Sequence, residues 1–184
     1  MTLIIGLGNP GGEYALTRHN AGFMLVDMLS AEYGIGLSVK GKGLRGSGRI
    51  AGEEVTLLKP LTYMNRSGHA VSEFIQASPL GPEKIIVVFD DCDLPLGKIR
   101  IRGGGGSGGH KGLASIIEAL GTRDIPRIRL GVGRPDEGDV VDFVLSPFQP
   151  SELPVVDEML GRARDAVESM IACGIAQAMN KHNN

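Results

Sequence analysis

The chain has 184 residues, a length that suits one domain over residues 1–184 better than two. Hydrophobic residues make up 42% of the chain and charged residues 22%, close to globular averages, which excludes wholesale disorder. The two cysteines form no metal-type pair, and no stretch approaches the ~20 apolar residues of a membrane span, so we expect a soluble, cytoplasmic protein.

The net charge of −2 hides an uneven distribution. Residues 98–134 hold eight lysines and arginines against two acidic residues, whereas residues 135–184 hold nine acidic residues against three basic ones. A second basic stretch runs from Lys40 to Arg49. Such clusters are typical of a polyanion-binding face, although solvated surfaces carry the same pattern. Aromatic residues make up only 4% of the chain, which disfavours base stacking and makes phosphates the expected contact.

The first half of the chain alternates between strand and helix patterns. Residues 2–7 form an apolar run that predicts a short buried strand, and residues 21–33 carry apolar side chains at helical spacing. The glycine-rich and lysine-rich residues 34–48 predict a mobile loop. Residues 44–51 and 54–59 predict a β-hairpin.

The second half contains the strongest strand pattern of the chain. Residues 84–89 (KIIVVF) form a continuous apolar run that is typical of a central, fully buried strand. Residues 98–102 and 127–133 alternate basic and apolar side chains, which predicts strands with their charges on one face. Helices are predicted at residues 65–76, 110–120 and 151–173. The alternation predicts an α/β fold, a single domain with a mixed, mainly parallel twisted sheet packed between helices.

Several motifs match enzyme signatures only in part. Residues 6–11 match the dinucleotide fingerprint G-x-G-x-x-G, but Pro10 and Gly12 extend the loop where that fingerprint requires a helix. A dinucleotide-dependent oxidoreductase therefore stays an alternative. Residues 105–109 match the nucleophile elbow G-x-S-x-G, but the only later histidines are His110, which precedes any acid, and His182, which lies in a tail that we expect to fray, so a serine hydrolase is disfavoured. The acidic run at residues 90–93 suits a hard cation, yet its position after a central strand favours an active site.

The remaining polar residues form a candidate hydrolytic set. His19 lies in a polar Thr-Arg-His-Asn loop before a helix, and Asp90 ends the central strand. Amide and phenol side chains lie near other strand ends and helix starts: Asn9, Tyr14, Tyr63 and Asn65. A histidine base that is oriented by an aspartate, with amide donors for a carbonyl, is the minimum set for hydrolysing an ester with water.

At these residues the sequence resembles the bacterial peptidyl-tRNA hydrolase family. Residues 6–27 (GLGNPGGEYALTRHNAGFMLVD), 60–68 (PLTYMNRSG) and 89–113 are similar to three signature blocks of that family, and residues 127–135 and 142–148 follow in its order. The resemblance implies an enzyme that hydrolyses the ester between a peptidyl group and the 3′ ribose of tRNA, which frees stalled tRNA for reuse. It also implies a monomer that binds peptidyl-tRNA, neither DNA nor membrane, and needs no metal or cofactor.

Matching the signature blocks position by position assigns roles to individual residues. His19 falls at the catalytic histidine, Asp90 at the aspartate that holds it in its basic form, and Asn9 at the position that distinguishes N-blocked peptidyl groups from free aminoacyl groups. The implied substrate-binding residues are Tyr14, Tyr63, Asn65, His110 and Lys111. The candidate phosphate-contacting residues are Arg100, Arg102, Arg127 and Arg129. At residue 111 the family usually has asparagine, so Lys111 departs from its pattern.

Besides the oxidoreductase, two functions remain open from the sequence. A general-base mechanism would have neutral His19 take a proton from the attacking water while Asp90 fixes the imidazole tautomer. The alternative from another class is a non-catalytic RNA-binding relative of the same fold. The presence of both His19 and Asp90 favours the enzyme.

Overall fold

The computed structural model describes residues 1–183 and builds one seven-stranded sheet with helices on both faces. The strands are β1 (Thr2–Gly6), β2 (Ser38–Lys40), β3 (Gly43–Ile50), β4 (Glu53–Pro60), β5 (Ile85–Asp91), β6 (Ile99–Arg102) and β7 (Arg127–Gly131). The helices are α1 (Ala21–Glu32), α2 (Ser67–Ala77), α3 (Lys111–Leu120), α4 (Val140–Val144), α5 (Leu153–Cys173) and α6 (Ile175–His182). Short 3₁₀ turns lie at Gly12–Tyr14, Arg18–Asn20, Met64–Arg66 and Pro82–Lys84.

The order of the strands brings three loops together at one edge of the sheet. The order is β2-β3-β4-β1-β5-β7-β6, in which β4, β1, β5 and β7 are parallel and the outer pairs are antiparallel. This arrangement confirms the expected mixed sheet with a parallel centre. Because parallel strands end at the same edge, the segments that follow β1, β4 and β5 meet there, as is usual for binding sites of α/β proteins.

The central strands are buried on both faces because their alternating side chains enter two separate cores. In β1, Ile4 packs with α1 and α5, whereas Leu3 and Ile5 pack with α2 and α3. This two-sided burial explains why β1 and β5 are continuous apolar runs and confirms the central position expected for residues 84–89.

The expectation of a mobile loop at residues 34–48 is wrong. Residues 38–40 form β2 and residues 43–50 form β3, which pair with each other and, through β3, with β4. Within β3, close packing requires glycine at one of these positions, since a Cβ on Gly46 would lie 2.1 Å from the carbonyl oxygen of Gly36. The expected hairpin between residues 44–51 and 54–59 is confirmed as β3 and β4.

The other predicted elements are confirmed to within a few residues, and two helices were not expected. α4 begins where the Asp139 carboxylate accepts a hydrogen bond from the Val141 N–H, and α6 follows Gly174 near the end of the chain. Between residues 1 and 183, every helix is too short or too polar to serve as a membrane span.

Candidate active site

The predicted hydrolytic residues meet at the carboxyl edge of the parallel strands. Asn9 and His19 lie in the segment between β1 and α1, Asp90 lies near the end of β5, and His110 immediately precedes α3. Two glycines let α1 approach β1 closely: a Cβ on Gly6 would lie 2.2 Å from the Gly22 carbonyl oxygen, and one on Gly8 would enter the Phe23 ring. These contacts, and a start of α1 at Ala21 well beyond Gly11, show that the G-x-G-x-x-G pattern serves helix packing rather than a dinucleotide loop.

These residues surround a cleft of about 350 Å³. One wall is apolar and comes from α4 and the residue after it, with Val140, Val141, Val144 and Leu145. Asn9, Tyr63 and Asn65 contribute polar groups to the lining. Asp90, His19 and His110 lie among its remaining lining residues, so the cleft combines an apolar surface with a few convergent polar groups, as small-molecule sites usually do.

His19 and Asp90 form a closely paired histidine and carboxylate. His19 Nδ1 lies 2.9 Å from Asp90 Oδ1 and 3.0 Å from Oδ2, and the Asp90 side chain is only 2% exposed. An ionised carboxylate can only accept hydrogen bonds, so His19 Nδ1 carries the ring proton and donates a hydrogen bond to Asp90. Among residues 1–183, no group forms a hydrogen bond with Nε2 of His19, which leaves its lone pair free on the cleft side of a 14% exposed side chain.

His110 is a second donor to the same carboxylate. Its Nε2 lies 2.9 Å from Asp90 Oδ1, and its Nδ1 accepts the Leu113 backbone N–H at 3.2 Å as the N-cap of α3. A nitrogen that accepts an N–H must be unprotonated, so the helix cap fixes His110 as the neutral tautomer with its proton on Nε2. Both imidazoles therefore direct an N–H at Asp90.

The two histidines determine the charge state of Asp90. Burial by itself raises the pKa of the Asp90 carboxyl, but the electrostatic attraction and hydrogen bond of the His110 N–H, and then those of the His19 N–H, outweigh burial and hold this pKa well below its usual range. Asp90 is consequently a permanent anion near neutral pH. An anion in this position favours a positive charge on the neighbouring His19 ring.

Asn9 is held so that its amide NH₂ remains available. Its Oδ1 accepts the Met64 backbone N–H at 2.9 Å, while Asn20 binds both its backbone N–H and its carbonyl oxygen at 2.9 and 3.0 Å. Because Oδ1 is committed to Met64, the NH₂ group is the end of the amide that is left for the cleft. Asn9 therefore acts as a fixed hydrogen-bond donor.

The His19, Asp90 and His110 ligand atoms lie within 4.8 Å of one another, close enough to consider a metal ion. A metal on Nε2 of His110 would move the ring proton to Nδ1, which would then face the Leu113 N–H. A metal on Nδ1 of His19 would move that ring's proton to Nε2 and remove the free lone pair. The hydrogen bonds of the cluster thus fit two imidazole donors on a carboxylate better than a metal centre.

The implied substrate-binding residues are placed at different distances from this cluster. Tyr63, Asn65 and Lys111 line the cleft, and Tyr63 is 63% exposed. Lys111 is exposed at the first residue of α3 and makes no hydrogen bond or ion pair with any of residues 1–183. Tyr14 lies in the 3₁₀ turn Gly12–Tyr14, is half-buried and does not line the cleft.

The predicted phosphate-contacting arginines share one face of β6 and β7. Arg100 pairs in register with Arg129, and Arg102 with Arg127, so all four side chains project to the same side. We call this set the arginine face. Arg102 is exposed, Arg129 is half-buried beside Asp91 at 2.5 Å, and Arg100 donates to the Asn183 carbonyl oxygen at 2.8 Å.

Arg127 corrects the sequence-based expectation, because it is only 2% exposed. Its guanidinium donates to the carbonyl oxygens of Ile125, Gly105, Gly106 and Arg123, at 2.9–3.0 Å. Burial, followed by the nearby charge of Arg129, lowers the pKa of Arg127. Four of its five N–H donors are used within the protein, so Arg127 anchors the glycine-rich segment before His110, and its burial disfavours the expected phosphate contact.

Sequence reasoning missed Arg18, Asn20 and the apolar wall of α4. Arg18 and Asn20 flank His19 in the chain, and both are buried with partners distant in sequence. The polarity of the loop was visible, but its long-range partners were not. The wall of α4 falls in an acidic stretch whose five-residue helix is too short to produce a clear periodic pattern.

The fold and the site define an α/β protein with a histidine paired to a buried aspartate in a cleft at the carboxyl edge of its sheet. Residues 3–184 match the family model described as peptidyl-tRNA hydrolase. A peptidyl-tRNA hydrolase of Caldanaerobacter subterraneus is 50% identical over 184 residues that cover 100% of both chains, and one of Geobacillus thermodenitrificans is 48% identical with the same coverage. The crystal structure of a peptidyl-tRNA hydrolase from Acinetobacter baumannii superposes with a TM-score of 0.94 at 41% identity and covers 100% of this chain and 94% of that one. The chain belongs to the peptidyl-tRNA hydrolase family.

Proposed function

We propose that this protein hydrolyses the ester bond of peptidyl-tRNA and uses His19 as the general base. The observation that carries the proposal is the free Nε2 of His19, in a cleft where Nδ1 is held by a buried carboxylate. Membership of the peptidyl-tRNA hydrolase family supplies the substrate class.

The reaction proceeds in two proton transfers. Nε2 of His19 takes a proton from a water molecule as the water oxygen attacks the ester carbonyl carbon, and Asp90 stabilises the resulting imidazolium. The tetrahedral intermediate then breaks the bond to the ribose oxygen. That oxygen receives the proton from the imidazolium, so the products are a peptide with a free carboxyl group and a tRNA with a free ribose hydroxyl.

Asn9 provides the selection for N-blocked substrates. Its free NH₂ group can donate to the carbonyl oxygen that an acylated amino group carries. An unblocked aminoacyl group presents an ammonium at the same place, and two donors facing each other are unfavourable. The substrate is therefore peptidyl-tRNA or another N-acylated aminoacyl-tRNA.

The tRNA is held outside the cleft by positive charge. The exposed Arg102, with Arg100 and Arg129 on the same face, is available to phosphates, and Lys111 is an exposed residue of the cleft lining. His110, Tyr63 and Asn65 line the cleft beside the reacting ester. In this proposal residues 1–184 act as one domain and as a monomer in the cytoplasm, where stalled peptidyl-tRNA is released from ribosomes.

Cleavage of N-acetyl-aminoacyl-tRNA compared with unblocked aminoacyl-tRNA tests the proposal. The parent chain should cleave the first and spare the second, while His19→Ala should bind both without cleaving either. A non-catalytic RNA-binding relative would bind both tRNAs and release no amino acid from either. Equal cleavage of both substrates would contradict the role of Asn9 but not the hydrolytic mechanism.

A further inference from the structure

The residue before His19 is a buried arginine whose partners all lie far along the chain. The Arg18 side chain is only 4% exposed, although arginine is almost never fully buried without partners. It lies in the same 3₁₀ turn as His19, so its position also determines where the His19 backbone lies.

The Arg18 guanidinium connects this turn to the segment after α4. Nη1 donates to the carbonyl oxygen of Pro147 at 2.6 Å, and to the carbonyl oxygen and hydroxyl of Ser146 at 3.3 and 2.8 Å. Nη2 donates to Glu152 Oε2 at 2.7 Å, and the same oxygen accepts the Gln149 N–H. Glu152 is also the N-cap residue of α5, so Arg18 ties together the His19 turn, the end of α4 and the start of α5.

Two aromatic rings enclose the same guanidinium. Its Cζ lies 4.2 Å from the centroid of Phe143, within α4, and 5.3 Å from that of Phe148. A flat, delocalised cation can stack on rings and donate in its own plane at the same time, which a lysine ammonium cannot do. The site is therefore specific for arginine rather than for positive charge.

The segment that Arg18 holds is the apolar wall of the cleft. Val141, Val144 and Leu145 line the cleft on the side of α4, within five residues of Ser146. Backbone bonds reinforce the connection, because the Arg18 N–H donates to the Ser146 carbonyl oxygen at 3.1 Å and the Phe148 N–H to that of Leu16 at 3.2 Å. Backbone hydrogen bonds and the Arg18 guanidinium thus both fix the wall to the turn that carries His19.

We propose that Arg18 is a positioning residue that couples the orientation of His19 to the apolar wall of α4. Neither group can shift alone while Arg18 binds both Ser146 and Glu152. This role rests on the proposed function of His19. Arg18 fixes the distance between His19 Nε2 and the apolar wall that bounds the substrate. When that distance varies, Nε2 is less often in line with the attacking water, so turnover falls although every reacting group is still present.

The test compares Arg18→Lys with Arg162→Lys. Arg162 lies on α5, also donates to a backbone carbonyl and to a glutamate, and does not line the cleft. We expect Arg18→Lys to lower kcat and raise KM for N-acetyl-aminoacyl-tRNA, with kcat/KM reduced by ~10–10²-fold, and Arg162→Lys to match the parent. Proton NMR should show the low-field signal of His19 Nδ1–H in the parent, assigned by its loss in His19→Ala, and its broadening or shift in Arg18→Lys.

The outcomes separate positioning from simple stabilisation. If Arg18→Lys melts earlier yet keeps the parent kcat, KM and low-field signal at temperatures where it is folded, the proposal is overturned. If Arg18→Lys does not fold, Glu152→Gln decides by the same three readouts, since it keeps the shape of the partner and weakens one arm of the connection. If the parent cleaves no N-acetyl-aminoacyl-tRNA, the proposed function fails, but the low-field signal still reports whether Arg18 holds His19.

Discussion

The His19 cluster (His19, Asp90 and His110) and the arginine face use similar polar side chains under different degrees of burial. In the cluster, the carboxylate at the centre is buried and each hydrogen bond that it receives has a defined donor. On the arginine face, four like charges share one side of two strands, but Arg127 is buried and Arg102 is exposed. Burial therefore decides which polar groups are fixed parts of the protein and which remain available to a ligand.

The largest expected effect is the loss of the base in the His19 cluster. His19→Ala should lower kcat by ~10²–10⁴-fold, because Nδ1 of His110 is occupied by the Leu113 N–H and cannot replace Nε2 of His19 as the base. Single-turnover cleavage of N-acetyl-aminoacyl-tRNA measures it, with tRNA affinity as the control that should hardly change. Asp90→Asn should lower kcat by a smaller factor, since it disturbs the orientation of the His19 ring but leaves Nε2 of His19 in place as the proton acceptor. Substantial residual turnover in His19→Ala would mean that another group activates the water.

A smaller loss is expected at Asn9, the fixed donor beside the cluster. Asn9→Asp keeps the acceptor for the Met64 N–H but replaces the free NH₂ group with an anionic oxygen. We expect cleavage of N-blocked substrate to fall by about 10²-fold, in the range for loss of one preorganised donor, and the discrimination against free aminoacyl-tRNA to shrink. The ratio of the two kcat/KM values measures this discrimination. An unchanged ratio would assign selection to a different residue.

The contrast within the arginine face can be tested with a matched pair of substitutions. Arg127→Ala leaves buried carbonyl oxygens without donors and should lower the free energy of unfolding by about 2–4 kcal/mol. Arg102→Ala, directly opposite in the sheet, should leave stability almost unchanged and reduce the slope of log affinity for tRNA against log salt by about one. Denaturant unfolding and binding titrations at several salt concentrations measure the two effects. Equal stability losses in both variants would remove the distinction.

Lys111 should give a modest effect, since it is exposed and carries no partner among residues 1–183. Lysine at a helix N-terminus is disfavoured by a few tenths of a kcal/mol up to about 1, which suggests that a substrate anion compensates. Lys111→Asn should retain kcat and raise KM at raised salt, whereas Lys111→Ala should lower kcat and raise KM. If Lys111→Ala equals the parent in kcat and KM at every salt concentration, Lys111 has no role in binding.

The smallest effect on turnover is expected from alkylation of Cys173, and it sharpens the same contrast between buried and exposed groups. Burial, followed by the charges of Asp90 and Asp91, raises the pKa of the Cys92 thiol to about 11. The reactive thiolate of Cys92 is therefore scarce at pH 8 and increases as the pH approaches that value, while Cys173 is exposed. Mass spectrometry after iodoacetamide treatment at pH 8 should find Cys173 modified first and activity intact. Faster modification of Cys92 would contradict its burial.

The sequence pointed to residues that the structure brings together, but not to the contacts that hold them in place. His19, Asp90 and Asn9 were selected from local context and family resemblance, and the structure brings all three to one cleft. The partners that set their roles were not visible. The tautomer of His110 depends on a helix cap at Leu113, and the free NH₂ group of Asn9 depends on a bond to Met64, which lies 55 residues away.

The amino-acid sequence by itself determined the order of the main strands and helices, because apolar periodicity is a local property that each segment carries alone. It failed where a local signal had two meanings. The glycines of residues 34–48 suggested flexibility, yet Gly43, Gly46 and Gly48 lie in β3, and at Gly46 the neighbouring backbone leaves no room for a Cβ. The alternating arginines predicted equally exposed side chains. In the structure, the glycine-rich segment accepts hydrogen bonds from buried Arg127, whereas Arg102 is exposed. Only the tertiary structure decided these cases, since burial and hydrogen-bond partners depend on residues that are distant along the chain.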